Sequence, residues 1–320
     1  MMLDSFFPVV IRSLALEGPH CLKIGLAYAD GRDLPGFTPG AHIDVRTPSN
    51  AIRQYSLCSS PDDLSLYEIC IKREAKSRGG SESLHALSQL GDILMISVPR
   101  NAFALPDAES YVLIAGGIGI TPLIPMSYQL KKQGKRFDFH YYAACPEEAP
   151  FRREWRAGVF GPDATLNANV VDHPPAGLDT VDPQGAVMLC GPAPFMEAMR
   201  TYAVMRGWAT EQIHVEHFQP PADAPKAHEE GDGRFEVHLL RSNRRVTVSA
   251  DQTIAEALLA ANISVSLSCE QGMCGACITP MLSGDADHRD CVLSDEEKAR
   301  NTQIALCCSR SKGGELVLDL

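Results

Sequence analysis

The chain contains 320 residues, of which 45% are apolar and 22% are charged, and its net charge at pH 7 is −11. This length exceeds what one hydrophobic core usually serves and favours two or three domains, while the composition excludes fibrous and mostly disordered proteins. The acidic balance argues against nucleic acid as the main partner, and no apolar run is long enough to cross a membrane.

The cysteine content bears on the cellular compartment. The eleven cysteines are an odd number, and the first residues lack the basic region of a secretory signal. We therefore expect a reducing, cytoplasmic location, with cysteines that serve as ligands or as buried apolar residues.

The first part of the chain, residues 1–107, is predicted to be an antiparallel β-domain. Short apolar runs alternate with turn signals rich in Gly, Pro, Asn and Asp, which is typical of a barrel or a sandwich. One helix is expected at 83–90. Strands are expected at 9–13, 42–46, 53–58, 66–71 and 93–98.

The second part, residues 108–221, changes to alternating strands and helices. Apolar runs at 111–115, 137–144 and 187–189 are separated by helical stretches. This alternation predicts a parallel, doubly wound sheet.

A glycine-rich loop, G-G-I-G-I-T-P at 116–122, follows the first strand of this part. Its glycines would let a pyrophosphate approach the backbone, with Thr121 as the helix N-cap and Pro122 at the first helical position. Pro122 replaces the third glycine of the usual dinucleotide motif, so a simple tight turn is the alternative.

Residues 222–232 are rich in Pro, Gly and charge and are predicted to be a linker. The third part, residues 233–320, begins with a hairpin at 235–248 and continues with a helix at 254–261 that Thr253 can cap. A final strand is expected at 315–319.

The cysteine pattern of the third part is the most specific signal. Cys269, Cys274 and Cys277 have the C-x4-C-x2-C spacing of a plant-type [2Fe–2S] site, and Cys307-Cys308 follows. Gly272 and Gly275 would permit close backbone approach to the cluster. The alternative is a structural zinc site with four thiolates, although such sites favour paired C-x2-C motifs. Among the remaining cysteines, Cys190 is the expected exception. The others are expected to be buried apolar residues, and they are Cys21, Cys58, Cys70, Cys145, Cys291 and one of the late pair.

Arg53 and Tyr55 fall on one face of a predicted strand together with Leu57. An arginine and an aromatic ring on one face could hold a phosphate and stack on a planar ring. A surface arginine beside a core tyrosine is the alternative.

Together, these ordered motifs resemble the phthalate dioxygenase reductase family, the single-chain reductases of Rieske oxygenases. The resemblance covers essentially the whole chain. Its motifs are R-x-Y-S-L at 53–57, R-G-G-S-E-S at 78–83, G-G-I-G-I-T-P at 116–122, C-G-P at 190–192, H-V-E-H-F at 214–218, the cysteine pattern from 269, A-D-H-R-D at 286–290 and E-L-V-L-D-L at 315–320.

The resemblance implies a multidomain fold. Residues 1–107 would form an antiparallel β-barrel flavin domain that binds FMN, and residues 108–221 an α/β doubly wound, ferredoxin–NADP reductase-like domain that binds NADH. After the linker at 222–232, residues 233–320 would form a β-grasp plant-type ferredoxin domain with a [2Fe–2S] cluster. Electrons would pass from NADH through FMN and the cluster to a terminal Rieske oxygenase.

The resemblance also assigns site residues by motif. Flavin contacts are expected at Arg53, Tyr55, Ser56 and Leu57, with the phosphate held by Gly80, Ser81 and Ser83. Dinucleotide contacts are expected at Gly117, Gly119 and Thr121, with Cys190, Gly191 and Pro192 near the nicotinamide, Phe218 packed near both rings and Glu216 close by. The cluster ligands would be Cys269, Cys274, Cys277 and Cys307, with Cys308 at a position where the family usually has an apolar residue.

Several alternatives stay open at this point. The acidic stretch at 143–148 favours NADH as the electron donor, while Arg152 and Arg153 leave NADPH as the alternative. A phthalate-like aromatic acid dioxygenase is the favoured partner, and a demethylating or quaternary-amine monooxygenase is the alternative. A non-enzymatic iron–sulfur sensor and a zinc-containing oxidoreductase are the competing classes, and neither nucleic acid nor a membrane is expected as a partner.

Overall fold

The computed structural model of the chain describes residues 6–74, 79–161, 164–219, 227 and 231–320. The chain divides into two compact units, Met2–Phe218 and Gln219–Leu320. The predicted linker lies mostly outside the described residues, apart from Ala227, Gly231 and Asp232. The boundary predicted at 107/108 falls inside the first unit and stays a prediction. Within the described ranges, no helix has the length and apolar character needed to span a membrane.

The first unit begins with a six-stranded antiparallel sheet in the order β4-β3-β6-β1-β2-β5. A bridge between Leu57 and Ile69 joins the two edges and closes the sheet into a barrel, which confirms the predicted β-barrel. The strands are β1 Phe7–Leu16, β2 Cys21–Ala27, β3 His42–Arg46, β4 Ile52–Ser56, β5 Tyr67–Lys72 and β6 Ile93–Ile96.

Alternating apolar side chains fill the barrel interior. Ile24, Ile43, Val45 and Ile69 are all fully buried in one cluster, and each such side chain contributes about 1.5–3 kcal/mol of transfer free energy. The helix α1, Gly80–Leu87, begins three residues before the predicted start. Strand β2 was not predicted. Six of its seven residues are buried, so buried residues lie on both faces of the strand. The sequence therefore lacks the alternation of apolar and polar residues that identifies a strand.

The second half of this unit is a five-stranded parallel sheet in the order β11-β10-β7-β8-β9. The chain runs outward from β7 to β9 and then returns to place β10 on the other side of β7. This reversal makes the carboxyl edge between β7 and β10 the topological switch point, where such sheets bind ligands. The elements are β7 Ser110–Gly116, α2 Leu123–Gln133, β8 Arg136–Tyr142, α3 Arg152–Arg156, β9 Thr165–Asn167, β10 Gly185–Cys190, α4 Ala193–Arg206 and β11 Ile213–Glu216.

Thr121 does not cap α2 as predicted. The residues Gly117–Ile120 form one turn of 3₁₀ helix, and the Thr121 hydroxyl donates to the Ile118 carbonyl at 3.0 Å. Pro122 takes the N-cap position and has no side-chain hydrogen bond there. The helix therefore starts one residue later than predicted, after a 3₁₀ turn of the kind that often precedes an α-helix.

The second unit contains a five-stranded sheet in the order β13-β12-β18-β14-β16, with β12 and β18 parallel, and a small β15–β17 pair. Helix α5 packs its buried residues against this sheet, as expected for a β-grasp ferredoxin. The elements are β12 Phe235–Leu239, β13 Arg244–Val248, α5 Ile254–Ala260, β14 Ile278–Ser283, β15 Ala286–Asp287, α6 Asp295–Arg300, β16 Gln303–Ala305, β17 Arg310–Ser311 and β18 Glu315–Leu318.

Reciprocal capping fixes the starts of both helices in this unit. The predicted Thr253 cap is present, and its hydroxyl accepts from the Glu256 amide while the Glu256 carboxylate accepts from the Thr253 amide. Ser294 and Glu297 make the same exchange at α6, a helix that was not predicted. Each cap contributes roughly 1 kcal/mol.

A lysine surrounded by carboxylates links the barrel to the parallel-sheet half of the first unit. The Lys23 ammonium on β2 lies 3.1 Å from Glu17, 3.7 Å from Glu68 and 3.4 Å from Glu154 on α3. Burial works against the charged lysine, but the three carboxylates outweigh it and raise the pKa of Lys23. Burial raises the pKa of Glu68 despite the neighbouring lysine.

Replacing the lysine should expose the repulsion among these carboxylates. We expect Lys23→Met to lower the free energy of unfolding of this unit by about 2 kcal/mol, because three partly buried negative charges lose their only close cation among the described residues. The deficit should shrink as the pH falls, since burial already raises the pKa of Glu68 and protonation of this carboxylate removes part of the repulsion. Both tryptophans, Trp155 and Trp208, lie in this unit, so urea unfolding followed by tryptophan fluorescence measures it.

Lys132→Met is the matched control, because the Lys132–Asp62 pair is exposed on both sides. Its free energy of unfolding should change by less than about 0.5 kcal/mol. Equal effects of the two substitutions would contradict the assigned role of Lys23.

Candidate functional site

Two glycine loops meet at the switch point of the parallel sheet. Strands β7 and β10 are parallel neighbours, with Ala115 paired to Cys190, so the loops that follow them lie at the same edge. A Cβ atom on Gly119 would lie only 2.4 Å from the Cys190 carbonyl oxygen and 2.7 Å from the Gly191 nitrogen. The two predicted motifs therefore form one continuous backbone surface.

Glycine is required at several points of this surface. A Cβ on Gly191 would lie 3.0 Å from the Gly116 Cα and 2.8 Å from the Phe195 ring. Gly117 has a φ of 55° and open space on its Cβ side. Bare backbone beside open space at a switch point can accept the diphosphate of a dinucleotide.

Cys190 and Glu216 lie side by side at this edge. They are paired in the register of β10 and β11. Cys190 is fully buried, and burial, followed by the nearby Glu216 carboxylate, raises the pKa of its thiol well above the ordinary value. The thiol is therefore neutral and acts as a small apolar wall at pH 7.

Glu216 carries a buried carboxylate oxygen, Oε2, that has no hydrogen-bond partner among the described residues. Burial raises the pKa of Glu216 to about 8, so the side chain is mostly protonated at pH 7. A protonated carboxyl can both donate and accept a hydrogen bond, which suits an amide such as a nicotinamide carboxamide. Phe218, two residues further on, is 38% exposed.

The barrel half of the unit carries a cradle at the N-terminus of α1. A Cβ on Gly80 would lie 2.9 Å from the Arg53 Nε, so the arginine lies across the first turn of the helix. The Ser83 hydroxyl donates to the Gly80 carbonyl at 2.9 Å, and the Ser81 hydroxyl accepts from the Glu74 amide at 3.4 Å. A guanidinium beside a helix N-terminus is a favourable place for a phosphate. Arg78, the first residue of this motif, lies outside the described residues.

Sequence reasoning missed two hydroxyl residues at this cradle. The Ser49 hydroxyl lies 3.3 Å from that of Ser83 and 3.0 Å from that of Thr47. Both residues belong to the turn between β3 and β4, which the sequence marked only as a turn. No local pattern identifies them, because their proximity to α1 depends on the pairing of the barrel strands.

The fold places the residues of the R-x-Y-S-L motif in different environments. Arg53 and Tyr55 share a face of β4, and burial raises the pKa of the Tyr55 phenol. Ser56 is buried on the opposite face of the strand. Leu57 is fully buried in the barrel core, and its amide donates to the Ala41 carbonyl. The structure thus brings Arg53 and Tyr55 to the cradle side and does not bring the Leu57 side chain to the surface.

The second unit gathers the four predicted ligand cysteines. Thiol–thiol interactions link the four residues: the Cys307 thiol interacts with those of Cys269, Cys277 and Cys308, and the Cys269 thiol interacts with that of Cys274. Contacts with Cys274 and Cys307, together with backbone amides, lower the pKa of Cys269.

Backbone amides also point at these sulfur atoms. Gly272 donates to the Cys307 Sγ at 3.2 Å, Gln271 to the Cys269 Sγ at 3.4 Å and Ala276 to the Cys274 Sγ at 3.4 Å. Four soft sulfur donors surrounded by amide donors fit a [2Fe–2S] cluster.

Cys308 occupies a different place from Cys307. A Cβ on Gly272 would lie 2.6 Å from the Cys308 Sγ, and the Ser309 hydroxyl lies 3.9 Å from it. Cys308 is 4% exposed. Its burial agrees with the packing role that the resemblance implied, and the choice of Cys307 over Cys308 as the cluster ligand stays a prediction.

The expectation for the remaining cysteines was wrong at two positions. All eleven cysteines lie in the described part of the chain, and none of them forms a disulfide. Cys21, Cys58 and Cys70 are buried as expected, and Cys190, the expected exception, is buried as well, whereas Cys145 and Cys291 are exposed. Both exposed cysteines lie in connecting segments, Cys145 before a short 3₁₀ turn and Cys291 before α6, where no core packs over the side chain.

Known proteins resemble this chain both in its cysteine-rich part and over its whole length. The profile of the 2Fe-2S iron-sulfur cluster binding domain matches residues 237–312. The vanillate O-demethylase oxidoreductase of Acinetobacter baylyi is 38% identical over 98% of this chain and 98% of its own length. The phthalate dioxygenase reductase of Burkholderia cepacia is also 38% identical, over 99% of this chain and 98% of its own length.

A solved structure extends the likeness to three dimensions. The structure of a phthalate dioxygenase reductase, described as modular for electron transfer from pyridine nucleotides to [2Fe–2S], is 35% identical to this chain. The two match with a TM-score of 0.70 over 99% of this chain and 98% of that one.

The contact at Gly119 predicts a specific defect. Gly119→Ala should raise the KM for NADH by about tenfold or more, because the new methyl group would force the two loops apart at the Cys190 carbonyl. Steady-state kinetics with ferricyanide as the acceptor measures this. Gly36→Ala is the control, since no atom lies within 4 Å of a Cβ there. An unchanged KM in Gly119→Ala would show that the dinucleotide binds elsewhere.

The raised pKa of Glu216 predicts a pH dependence. The kcat/KM for NADH should fall as the pH rises through about 8, because Glu216 then loses its proton and its negative charge opposes an anionic dinucleotide. Glu216→Gln should lack this decline while keeping a similar value near pH 7. Profiles measured between about pH 6.5 and 9.5 test the assignment. The same decline in both proteins would assign the ionisation to another group.

Adjacent cysteines give a direct test of the ligand set. Cys307→Ser should lose or badly destabilise the cluster, because a hard hydroxyl replaces a soft thiolate, while reduction of the flavin by NADH continues. Cys308→Val should be tolerated. Iron and acid-labile sulfide content measures both. Loss in Cys308→Val with retention in Cys307→Ser would reverse the assignment, and loss in neither would place the fourth ligand elsewhere, with Cys291 as the remaining cysteine of this unit.

Proposed function

Because this chain belongs to the phthalate dioxygenase reductase family, and is therefore an electron-transferring oxidoreductase with a 2Fe-2S domain, we propose that it passes electrons from NADH through FMN and a [2Fe–2S] cluster to a terminal Rieske oxygenase. The observation that carries the proposal is the convergence of Cys269, Cys274, Cys277 and Cys307 under backbone amide donors. A flavin exchanges electrons both in pairs and singly, so FMN joins the two-electron donor to the one-electron cluster.

The protein contributes binding and positioning. The backbone surface formed by Gly117, Gly119 and Gly191 holds the diphosphate of NADH. Protonated Glu216 orients the carboxamide, and Cys190 supplies a neutral wall that adds no competing charge. No side chain is required as a nucleophile, because holding the reacting rings in one geometry is the main catalytic contribution.

The cradle at α1 supports FMN as the flavin. Arg53, Ser49 and Ser83 surround the helix N-terminus and would hold a terminal phosphate with charge-assisted hydrogen bonds. Tyr55, on the same face as Arg53, would lie against the flavin ring.

The charges after β8 support NADH over NADPH. Glu147 and Glu148 lie in the short turn that follows this strand, and Arg152 and Arg156 are both paired with Glu147. Arg152, one of the two arginines that kept NADPH open, therefore has a carboxylate partner. A 2′-phosphate at this place would meet negative charge.

We assign the protein to the cytoplasm, where NADH and a reducing environment are both present. Its favoured partner is a dioxygenase of phthalate-like aromatic acids, and a demethylating or quaternary-amine monooxygenase is the alternative. The relatives with 38% identity serve a dioxygenase in one case and carry an O-demethylase name in the other, so the substrate is a property of the oxygenase. Coupled turnover with purified oxygenases of each kind distinguishes the partners.

Anaerobic mixing with NADH tests the electron path. The flavin absorbance should bleach first, and a [2Fe–2S] electron paramagnetic resonance signal should follow in the same mixture. Extraction should release FMN, and metal analysis should find iron and sulfide instead of zinc. Release of FAD alone would overturn the phosphate cradle, and a protein that NADH cannot bleach would overturn the proposed enzyme in favour of a sensor.

A further inference from the structure

The turn between the first two barrel strands contacts the segment that follows β8 in the same unit. Glu17 and Gly18 lie between β1 and β2, and Glu148 ends the short 3₁₀ turn after β8. Gly18 has a φ of 70°. A Cβ atom there would overlap the Glu148 carbonyl oxygen and lie 3.2 Å from the carbonyl carbon. The barrel turn therefore lies against the backbone of this segment at a distance that only glycine permits.

A second contact holds the residue that precedes α3. The Glu17 carboxylate accepts a hydrogen bond from the Phe151 amide at 3.1 Å. Phe151 is 3% exposed and has a φ of 59°, a left-handed backbone conformation that a bulky residue seldom adopts. The Lys23 ammonium, which lies 3.1 Å from Glu17, is 5.4 Å from the centre of the Phe151 ring. Contacts from the barrel therefore stabilise Phe151 in this conformation.

These two contacts flank the charged residues that follow β8. Glu147 and Glu148 are exposed, and Arg152, the first residue of α3, is paired with Glu147. In a doubly wound sheet a carboxylate at this place binds a ribose 2′-hydroxyl, whereas an arginine binds a 2′-phosphate. The backbone at 146–152 determines which of these two groups reaches the ribose. The barrel contacts fix that backbone at both of its ends.

We propose that Glu17 and Gly18 are positioning residues for nucleotide selectivity, which hold residues 146–152 so that carboxylates, and not Arg152, meet the adenosine ribose. This inference rests on the proposed preference for NADH over NADPH. Both residues act through the backbone of the segment and are not catalytic residues. The selectivity for the nucleotide therefore depends on the barrel half of the unit as well as on the parallel-sheet half.

Displacement of this segment should change nucleotide binding and leave the chemical step intact. A side chain at position 18 would push the Glu148 carbonyl away and move the neighbouring carboxylates from the ribose. NADH would lose a charge-assisted hydrogen bond, and a 2′-phosphate would meet less negative charge. An interaction made equally with the bound substrate and with the transition state contributes to KM and not to kcat. The expected defect is therefore a change in KM.

Gly18→Ala in the full-length protein tests the proposal, and Gly31→Ala is the matched control. Gly31 has a similar φ of 78°, but no atom lies within 4 Å of a Cβ there. Both substitutions strain a left-handed residue in a barrel loop, and only Gly18→Ala displaces the segment after β8.

Glu17→Ala provides the same test if Gly18→Ala fails to fold, because it removes the acceptor of the Phe151 amide. Glu17→Gln is the conservative rescue, since its amide oxygen can accept the same hydrogen bond without the charge that pairs with Lys23. This pair of variants separates the hold on Phe151 from the ion pair.

Two readouts are needed, of which one is independent of turnover. Steady-state kinetics with ferricyanide as the acceptor gives kcat and KM for NADH and for NADPH separately. Amide hydrogen exchange without nucleotide, followed by mass spectrometry, reports how firmly the backbone at 145–151 is held. The flavin content of each variant shows whether the barrel site is intact.

In Gly18→Ala we expect a higher KM for NADH, an unchanged kcat at saturating NADH and faster exchange at 145–151. The ratio of kcat/KM for NADPH to that for NADH should rise by about tenfold, the effect of one hydrogen bond to a charged group. Glu17→Ala should change the ratio in the same direction. Glu17→Gln and Gly31→Ala should stay close to the wild type.

An unchanged ratio in both Gly18→Ala and Glu17→Ala would overturn the proposal, and so would an equal change in Gly31→Ala. A lower kcat with an unchanged KM would also overturn it, because that pattern indicates loss of folded enzyme. If the wild-type protein prefers NADPH, the proposed preference for NADH fails. The change in the ratio relative to Gly31→Ala would still decide whether the barrel turn sets selectivity.

Discussion

The parallel pairing of β7 with β10 is the constraint from which the nucleotide site follows. It places two loops at one edge, and the approach of Gly119 to the Cys190–Gly191 peptide leaves no room for a side chain. The same pairing aligns Cys190 with Glu216 on the next strand. A binding surface made of backbone and one neutral acid results directly from strand order, before any ligand is present.

Buried ionisable side chains of this chain either remain uncharged or are paired with groups of opposite charge. Burial alone raises the pKa of Glu216, so this side chain keeps its proton at neutral pH and offers a polar group without charge. Where charge is retained, it is paired, as with Lys23 among three carboxylates and with Asp232 between two arginines. The first arrangement lowers stability as the pH rises from the ordinary pKa of a glutamate, about 4.3, to about 8, because over that range the native state binds a proton that the unfolded chain has already lost.

Periodicity and spacing predicted much of the fold, and the reasons for the failures are physical. The alternation around 111–144, the capped helix at Thr253 and the C-x4-C-x2-C loop are local patterns, and the structure has the corresponding elements. Strand β2 was not predicted because neighbouring residues such as Cys21 and Leu22 are both buried, which erases the two-residue period. The position of Ser49 at the cradle was not predicted because its neighbour Ser83 is 34 positions away and is brought close only by strand pairing. Thr121 was misplaced because its hydroxyl bonds back to Ile118 instead of capping forward.

The ion pairs of Asp232 with Arg289 and Arg310 also affect how a ferredoxin module can be moved from one protein to another. The recognisable 2Fe-2S profile begins at residue 237, whereas the carboxylate that neutralises two buried arginines stands at Asp232. A ferredoxin module transplanted from its recognisable border would carry Arg289 and Arg310 without their counter-ion. Successful fusions should therefore inherit the aspartate together with the module, so that the functional unit of exchange begins several residues before the domain that sequence comparison delimits.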